Sequence, residues 1–228
     1  MIFDQPLAGA EPGQFVMLWL PGSGEKPYSI LNCDPFSITV SSVGPFSSAL
    51  YDLKIGSRVW ARGPFGKGFK LEGGKHLLVG GGYGAAPLHF LAQQGRDRND
   101  EVIVCLGART AADLLLINAF NAMGCEVFVS TDDGSSGEKG FVTRAVEQAF
   151  YRSKIDTLYA CGPVPMLSAL SEICRDNRIP AQLSWEANMR CGIGLCGSCE
   201  LDEKTRKLAG IPAGWLTCKD GPVYFQPG

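Results

Sequence analysis

Cys191, Cys196, Cys199 and Cys218 are the side chains best suited to chemistry in this sequence. Three of them stand in Cys191-Gly192-Ile193-Gly194-Leu195-Cys196-Gly197-Ser198-Cys199, and the fourth follows after a gap. A C-x4-C-x2-C…C spacing is that of a plant-type [2Fe-2S] cluster. Two irons with bridging sulfides leave four terminal positions, which suit soft thiolates. Gly192, Gly194 and Gly197 let the loop curl around a compact centre and turn its N–H groups toward sulfur. Zinc also takes four thiolates, but it usually presents paired C-x2-C knuckles. Only one such knuckle is present, and Cys218 has no cysteine close to it in sequence. A disulfide framework fits less well. The 228 residues can bury a core without staples, and no secretory signal is read ahead of them.

The other candidates are weaker. Cys105 and Cys125 lie in or beside apolar strand patterns and read as small buried hydrophobes, and Cys174 as a helix-face residue. Nothing near Cys33 suggests activation. His76 opens a strand and His89 sits in a helix, both incidental to chemistry, and no Ser-His-Asp set exists.

The elements that must position the cysteines form three segments, 1–72, 73–186 and 187–228. The first reads as short strands and turns: Phe15–Leu20, the turn Pro21-Gly22-Ser23-Gly24, then Tyr28–Leu31, Ser37–Ser42 and Arg58–Ala61, with no useful helical period. This pattern predicts a small antiparallel barrel or sandwich. The second alternates strands (His76–Val79, Glu101–Leu106, Glu126–Ser130, Thr157–Cys161, Gln182–Trp185) with helices (Pro87–Gln94, Ala112–Met123, Val142–Tyr151, Pro163–Asp176). Such alternation predicts a doubly wound parallel sheet, so the fold class is multi-domain β plus α/β. The third segment loses both periods and carries the cysteines.

Composition agrees with globular domains in the cytoplasm. Hydrophobic residues make up 45% and the formal net charge is -2, which argues against a nucleic-acid binder. No apolar run reaches membrane-spanning length, because Gly80–Ala86 interrupts the best candidate. The 29 glycines and 14 prolines, separated by hydrophobic strands, indicate turns and cofactor loops rather than disorder.

Val79-Gly80-Gly81-Gly82-Tyr83-Gly84-Ala85-Ala86-Pro87 joins the first strand of the second segment to its helix. Small residues there admit a pyrophosphate, and the helix N-terminus adds partial positive charge. The strand–loop–helix setting makes Gly81, Gly82, Gly84, Ala85 and Ala86 dinucleotide-binding candidates. No acidic residue ends the second strand, where a ribose carboxylate is expected; Gly107-Ala108-Arg109-Thr110 stands there instead. Thr110, Asp132 of the loop Thr131-Asp132-Asp133-Gly134, and Cys161, Gly162, Pro163 and Met166 of the loop 161–166 occupy other carboxyl ends of strands. Open α/β sheets bind ligands at that edge. The bland reading makes these loops ordinary helix entries with turn chemistry. In the first segment, Lys26-Pro27-Tyr28-Ser29 places a cation, an aromatic ring and a hydroxyl where a flavin and its phosphate can be held.

Taken together, these motifs resemble the ferredoxin reductase superfamily, and more closely the electron-transfer subunit of type B dihydroorotate dehydrogenase. The match covers nearly the whole chain. It is strongest at Glu186, at Met189-Arg190-Cys191-Gly192-Ile193-Gly194-Leu195-Cys196, and at Cys218-Lys219-Asp220-Gly221-Pro222-Val223. The resemblance implies an FAD-binding barrel, an NAD-binding domain (NADP being the alternative dinucleotide) and a [2Fe-2S] domain. It implies that Lys26, Pro27, Tyr28 and Ser29 stand at the flavin signature Arg-Pro-x-Ser. Thr39, Val40 and Ser41 correspond to a strand along FAD, and Phe46 and Ser47 to a Gly-Thr pair near its pyrophosphate. Glu186 would lie near the isoalloxazine. The implied partner is a catalytic dehydrogenase subunit carrying FMN, and electrons from dihydroorotate would reach NAD through this chain.

Three departures stand out. Lys26 makes a point charge of a bidentate arginine clamp. Phe46-Ser47 is expected to crowd the diphosphate. Only 12 residues precede Gly13, where the family has one or two strands, so an incomplete barrel is expected. The stretch from Cys199 to Cys218 is also longer than expected for the nearest relatives. Two other functions remain open: a subunit of another NAD(P)-linked redox complex (hydrogenase, ferredoxin:NADP or sulfur-reducing type), or a cluster-bearing sensor or scaffold without flavin turnover.

Overall fold

A computed structural model describes residues 1–228. Strand β1 (Phe15–Leu20) pairs antiparallel with β2 (Gly24–Ser29) through the expected turn, and with β5 (Trp60–Phe65) on its other edge. Strands β3 (Asn32–Cys33) and β4 (Phe36–Ser37) form a separate two-stranded ladder. The antiparallel character is as expected, but these strands form two small open sheets rather than a closed barrel. The strand expected over Ser37–Ser42 stops at Ser37, and helix α1 (Pro45–Tyr51) follows, which the sequence reading did not foresee. Pro45 sits in its first turn, and Ser47 Oγ accepts the Gly44 N–H at 3.0 Å.

The larger body is a seven-stranded sheet of order β12-β11-β10-β6-β7-β8-β9. Its parallel part comprises β6 (Lys75–Gly81), β7 (Glu101–Ala108), β8 (Glu126–Thr131), the short edge strand β9 (Glu138–Lys139), β10 (Thr157–Cys161) and β11 (Ala181–Ser184). Alternation decides which side each residue faces. Leu77, Val79, Ile103, Cys105, Leu158 and Ala160 pack with α4 (Thr143–Arg152) and α5 (Val164–Asn177) on one side. Leu78, Val102, Val104, Leu106, Tyr159 and Cys161 pack with α2 (Ala85–Asp97) and α3 (Ile117–Ala122) on the other. The sheet is therefore doubly wound. Strand order reverses between β6 and β10, which puts the ligand crevice at their carboxyl ends.

The helix expected over 112–123 is broken. Ala111–Asp113 is a 3-10 turn, and Leu116 takes φ 63 before α3 begins. Leu114, Leu115 and Leu116 all pack against the same core, a continuous anchorage that a regular helix face does not provide. The cysteine segment is also more ordered than expected. Helix α6 (Glu203–Ala209) is capped by Asp202, whose carboxylate accepts the Thr205 N–H at 2.9 Å. Strand β12 (Val223–Gln226) joins the main sheet antiparallel to β11, so residues 187–228 end inside the nucleotide-binding layer. No helix is long and apolar enough to cross a membrane.

Strands β6 and β10 are tied together at their amino ends. Asp156 Oδ2 accepts N–H groups from Gly74 and Lys75, both at 3.0 Å, and these bonds hold its carboxyl below the usual range. A depressed carboxyl contributes stability above its ordinary pKa and loses it as pH falls through the depressed value. Asp156→Asn should therefore destabilise the protein at neutral pH, with the gap from the unmodified chain closing in acid. Denaturant titrations across the acid range check this; a gap that stays constant with pH contradicts it.

Candidate cofactor site

The cysteine loop packs on one face of β1. Cys199 and Cys218 are 1% and 2% exposed, their sulfurs are 3.3 Å apart, and Phe15 and Met17 cover them. Cys191 is half-buried and Cys196 exposed, and the two lie within hydrogen-bond reach of one another. Gly192, Gly194 and Gly197 have φ of +75, +80 and +71, the left-handed turns for which glycine is suited. These turns aim amides at sulfur: Gly194 N–H donates to Cys218 Sγ at 3.1 Å and Ile193 N–H to Cys191 Sγ at 3.5 Å. Ser198 Oγ lies 3.2 Å from Cys196 Sγ. The amides of Ile193 and Cys196 bring the Cys191 thiol down to about 6, Ser198 lowers that of Cys196, and burial pushes Cys218 up to about 12.

The donor set suits a binuclear centre. Four sulfurs stand as an outer pair and an inner pair, with amides directed at them. That arrangement fits two irons sharing four thiolates.

A cleft of about 580 Å³ opens beside this loop. Lys26, Pro27, Tyr28, Ser29, Thr39, Ser41, Phe46 and Ser47 line it, so nearly all the flavin candidates meet there. Val40 does not line the cleft; its side chain packs with the core around Val16 and Leu18. Phe46, expected to crowd the diphosphate, is largely buried in that core and borders the cleft, its ring 6.2 Å from the Tyr28 ring. Ser47 is occupied locally, accepting N–H groups from Val43 and Gly44. Lys26 is exposed with no ion-pair partner, and burial raises the Tyr28 hydroxyl. The fit to a flavin is therefore an aromatic wall, hydroxyls and one free cation.

The sequence reading did not assign two further parts of the wall: Tyr83 of the glycine loop, and Ala187, Asn188 and Met189, which lead into the cysteines. Tyr83 had a signal, being the one bulky residue in a run of glycine and alanine.

At the crevice between β6 and β10, the glycine loop and the loop 161–166 touch. Gly84 sits so close to the Cys161 carbonyl that a Cβ there would overlap it. The Met166 thioether covers Gly81, where a Cβ would come within 2.6 Å of its sulfur. Gly162 lies beneath the same side chain, Pro163 precedes α5, and Ala85 and Ala86 are buried at the start of α2. Burial pushes the Cys161 thiol up to about 12, so it is a neutral group. Glu186 follows β11; desolvation raises its carboxyl although the residue is exposed. Thr110 and Asp132 are not brought into this crevice. They lie further along the same sheet edge, where Thr110 Oγ1 donates to Asp113 at 3.1 Å and Asp132 is exposed.

The family described as iron-sulfur cluster binding domain of dihydroorotate dehydrogenase B matches residues 186–226, and the oxidoreductase NAD-binding domain family matches 78–172. A probable dihydroorotate dehydrogenase B (NAD(+)) electron transfer subunit from Thermococcus kodakarensis is 42% identical over 213 residues, spanning 93% of this chain and 84% of the relative. The chain belongs to the family of dihydroorotate dehydrogenase B electron transfer subunits. A Pyrococcus abyssi member of that family is 43% identical, over 93% of this chain and 78% of its own. Among solved structures, an NADH-dependent reduced ferredoxin-NADP oxidoreductase has a TM-score of 0.82 and 30% identity, covering 96% of this chain and 79% of that one. The ferredoxin reductase of carbazole 1,9a-dioxygenase follows at 0.64 and 25%, covering 77% and 59%. The resemblance read from the cysteine and glycine motifs and the ferredoxin-reductase-like fold are thus shown.

Because Gly84 touches the Cys161 carbonyl, Gly84→Ala should pry the two loops apart and weaken NADH binding about tenfold or more. Titration calorimetry of the variant measures this, and unchanged affinity contradicts the contact's importance.

Proposed function

We propose that this chain is the electron-transfer subunit of a dihydroorotate-oxidising complex, working between a catalytic partner that carries FMN and NAD. A nicotinamide exchanges hydride, a [2Fe-2S] cluster exchanges single electrons, and a flavin does either, so the three groups together convert one currency into the other. The chain's own task is to hold and orient them. Cys191, Cys196, Cys199 and Cys218 would ligate the irons. Lys26–Ser29, Thr39, Ser41 and the α1 entry at Phe46 and Ser47 would hold FAD. Gly81–Ala86 and the loop 161–166 would shape the nicotinamide site, with Thr110 and Asp132 on the adenosine side. Glu186 would stand at the flavin edge as a carboxyl whose proton is retained more readily than usual.

One observation carries this reading: a single cleft is walled by the flavin segment, the glycine loop and the residues leading into the cysteines. Three distant parts of the sequence meet where three redox groups need to be neighbours. A cytoplasmic setting goes with it, since thiols there stay reduced for cluster assembly. A second reading, a subunit of another NAD(P)-linked complex, draws on the TM-score of 0.82 to the NADH-dependent ferredoxin-NADP oxidoreductase. The higher identity of the curated relatives, 42% against 30%, favours the dihydroorotate reading.

The partner's docking face belongs around the cysteine loop, where electrons have a short way to travel. Leu195 is 81% exposed there. Arg62 Nη2 donates to the Cys191 carbonyl at 3.1 Å, and two residues along the same strand the exposed Trp60 leans on Trp19, ring centroids 5.2 Å apart. Exposed tryptophans make strong interface anchors.

Cys196→Ser should abolish transfer between the partner and NAD while sparing NADH-to-dye reduction; equal loss of both in folded protein contradicts the proposed order of groups. Trp60→Glu should weaken the complex with a dihydroorotate dehydrogenase catalytic subunit about tenfold or more, leaving visible absorbance unchanged. Sedimentation of the mixed subunits measures it, and undiminished association moves the docking face elsewhere.

A further inference from the structure

The glycine loop contains one residue that its accepted role does not explain. From Gly80 to Ala86 every residue is glycine or alanine except Tyr83. Small residues there let a diphosphate come close, and a tyrosine works against that. The core does not need it either, since Tyr83 is 55% exposed. Instead, the 3-10 turn Gly82–Gly84, with Gly82 at φ +53, throws the side chain across the cleft. Its hydroxyl donates to Ser41 Oγ at 2.8 Å. This is the only side-chain hydrogen bond that residues 80–87 make. It joins the nucleotide loop to the opposite wall, where Thr39 and Ser41 face the same space as Tyr28.

Resting on the flavin reading above, we propose that Tyr83 is a flavin-positioning residue: its hydroxyl, held by Ser41, straps the cleft shut over FAD, and FAD enters or leaves only when that bond opens. The strap is weak by construction. Tyr83 is exposed and Ser41 half-buried, so opening exchanges one protein hydrogen bond for bonds to water. It therefore governs how long FAD stays rather than whether the chain folds. It also sets how near the glycine loop lies to the flavin wall, and hence how a nicotinamide meets the ring.

The test is the release rate of FAD from the reconstituted full chain, followed by flavin fluorescence after dilution into an excess of an FAD-binding apoprotein such as apo-D-amino-acid oxidase. Tyr83→Phe keeps the ring and removes the hydroxyl; Ser41→Ala removes the acceptor. Each should speed release about three- to tenfold, and the double variant should match the singles because one bond is lost in every case. Ser41→Thr, which keeps a hydroxyl, should restore slow release. Unchanged release in the single variants with FAD still bound overturns the strap. So does a strictly additive double variant, or a fall in apoprotein melting temperature without faster release, which marks the bond as merely structural. If the unmodified chain binds no FAD on reconstitution, the flavin reading itself fails and the strap with it; the variant comparison separates the two failures.

Discussion

Strand β1 is buried on both faces, and the rest of the arrangement depends on it. Successive side chains of a strand point to opposite sides. Val16 and Leu18 enter the core of the N-terminal sheets, while Phe15 and Met17 cover the inner thiol pair Cys199 and Cys218. Each fully buried apolar side chain of this kind is worth about 1.5–3 kcal/mol. One strand thus fixes the flavin wall and the cysteine loop to each other, without a linker between them. The bidentate ion pair from Arg62 to Glu25 and the Arg62 bond to the Cys191 carbonyl extend the same fixation along β5.

The main sheet supplies the third wall. Its strand order reverses between β6 and β10, and the two loops that leave there are built from residues small enough to touch. Phe90 of α2 then reaches out of the sheet layer into the core of the N-terminal sheets. The helix that begins at the glycine loop is therefore seated against the domain that its loop faces. The site follows from two packing decisions, one in β1 and one in α2, and not from any long insertion.

Much of this was legible in the sequence because it rests on local pattern. The cysteine spacing, the glycine loop and, apart from the broken helix over 112–123, the alternation of β6 to α5 survive, since each strand has two apolar faces and each helix one. The failures have physical causes. Helix α1 has seven residues, of which only Phe46 and Leu50 are buried, too few to show a period. The run Leu114–Leu116 is half-buried at three successive positions against one core and so carries no period either. Strand β12 owes its place to distant partners: Gln226 bonds the backbone and hydroxyl of Ser171 in α5. Tyr83 was passed over because a glycine motif draws attention to its glycines.

The register of β12 decides how the cysteine loop is closed. Ser184 stands opposite Val223, so everything from Trp185 to Pro222 is a single excursion that leaves the sheet and returns to the adjacent strand. Bringing such ends together carries an entropic cost that grows with the logarithm of the length. Here the ladder of β11 and β12 meets that cost. The four cysteines thus lie on a loop whose two ends the sheet itself holds side by side.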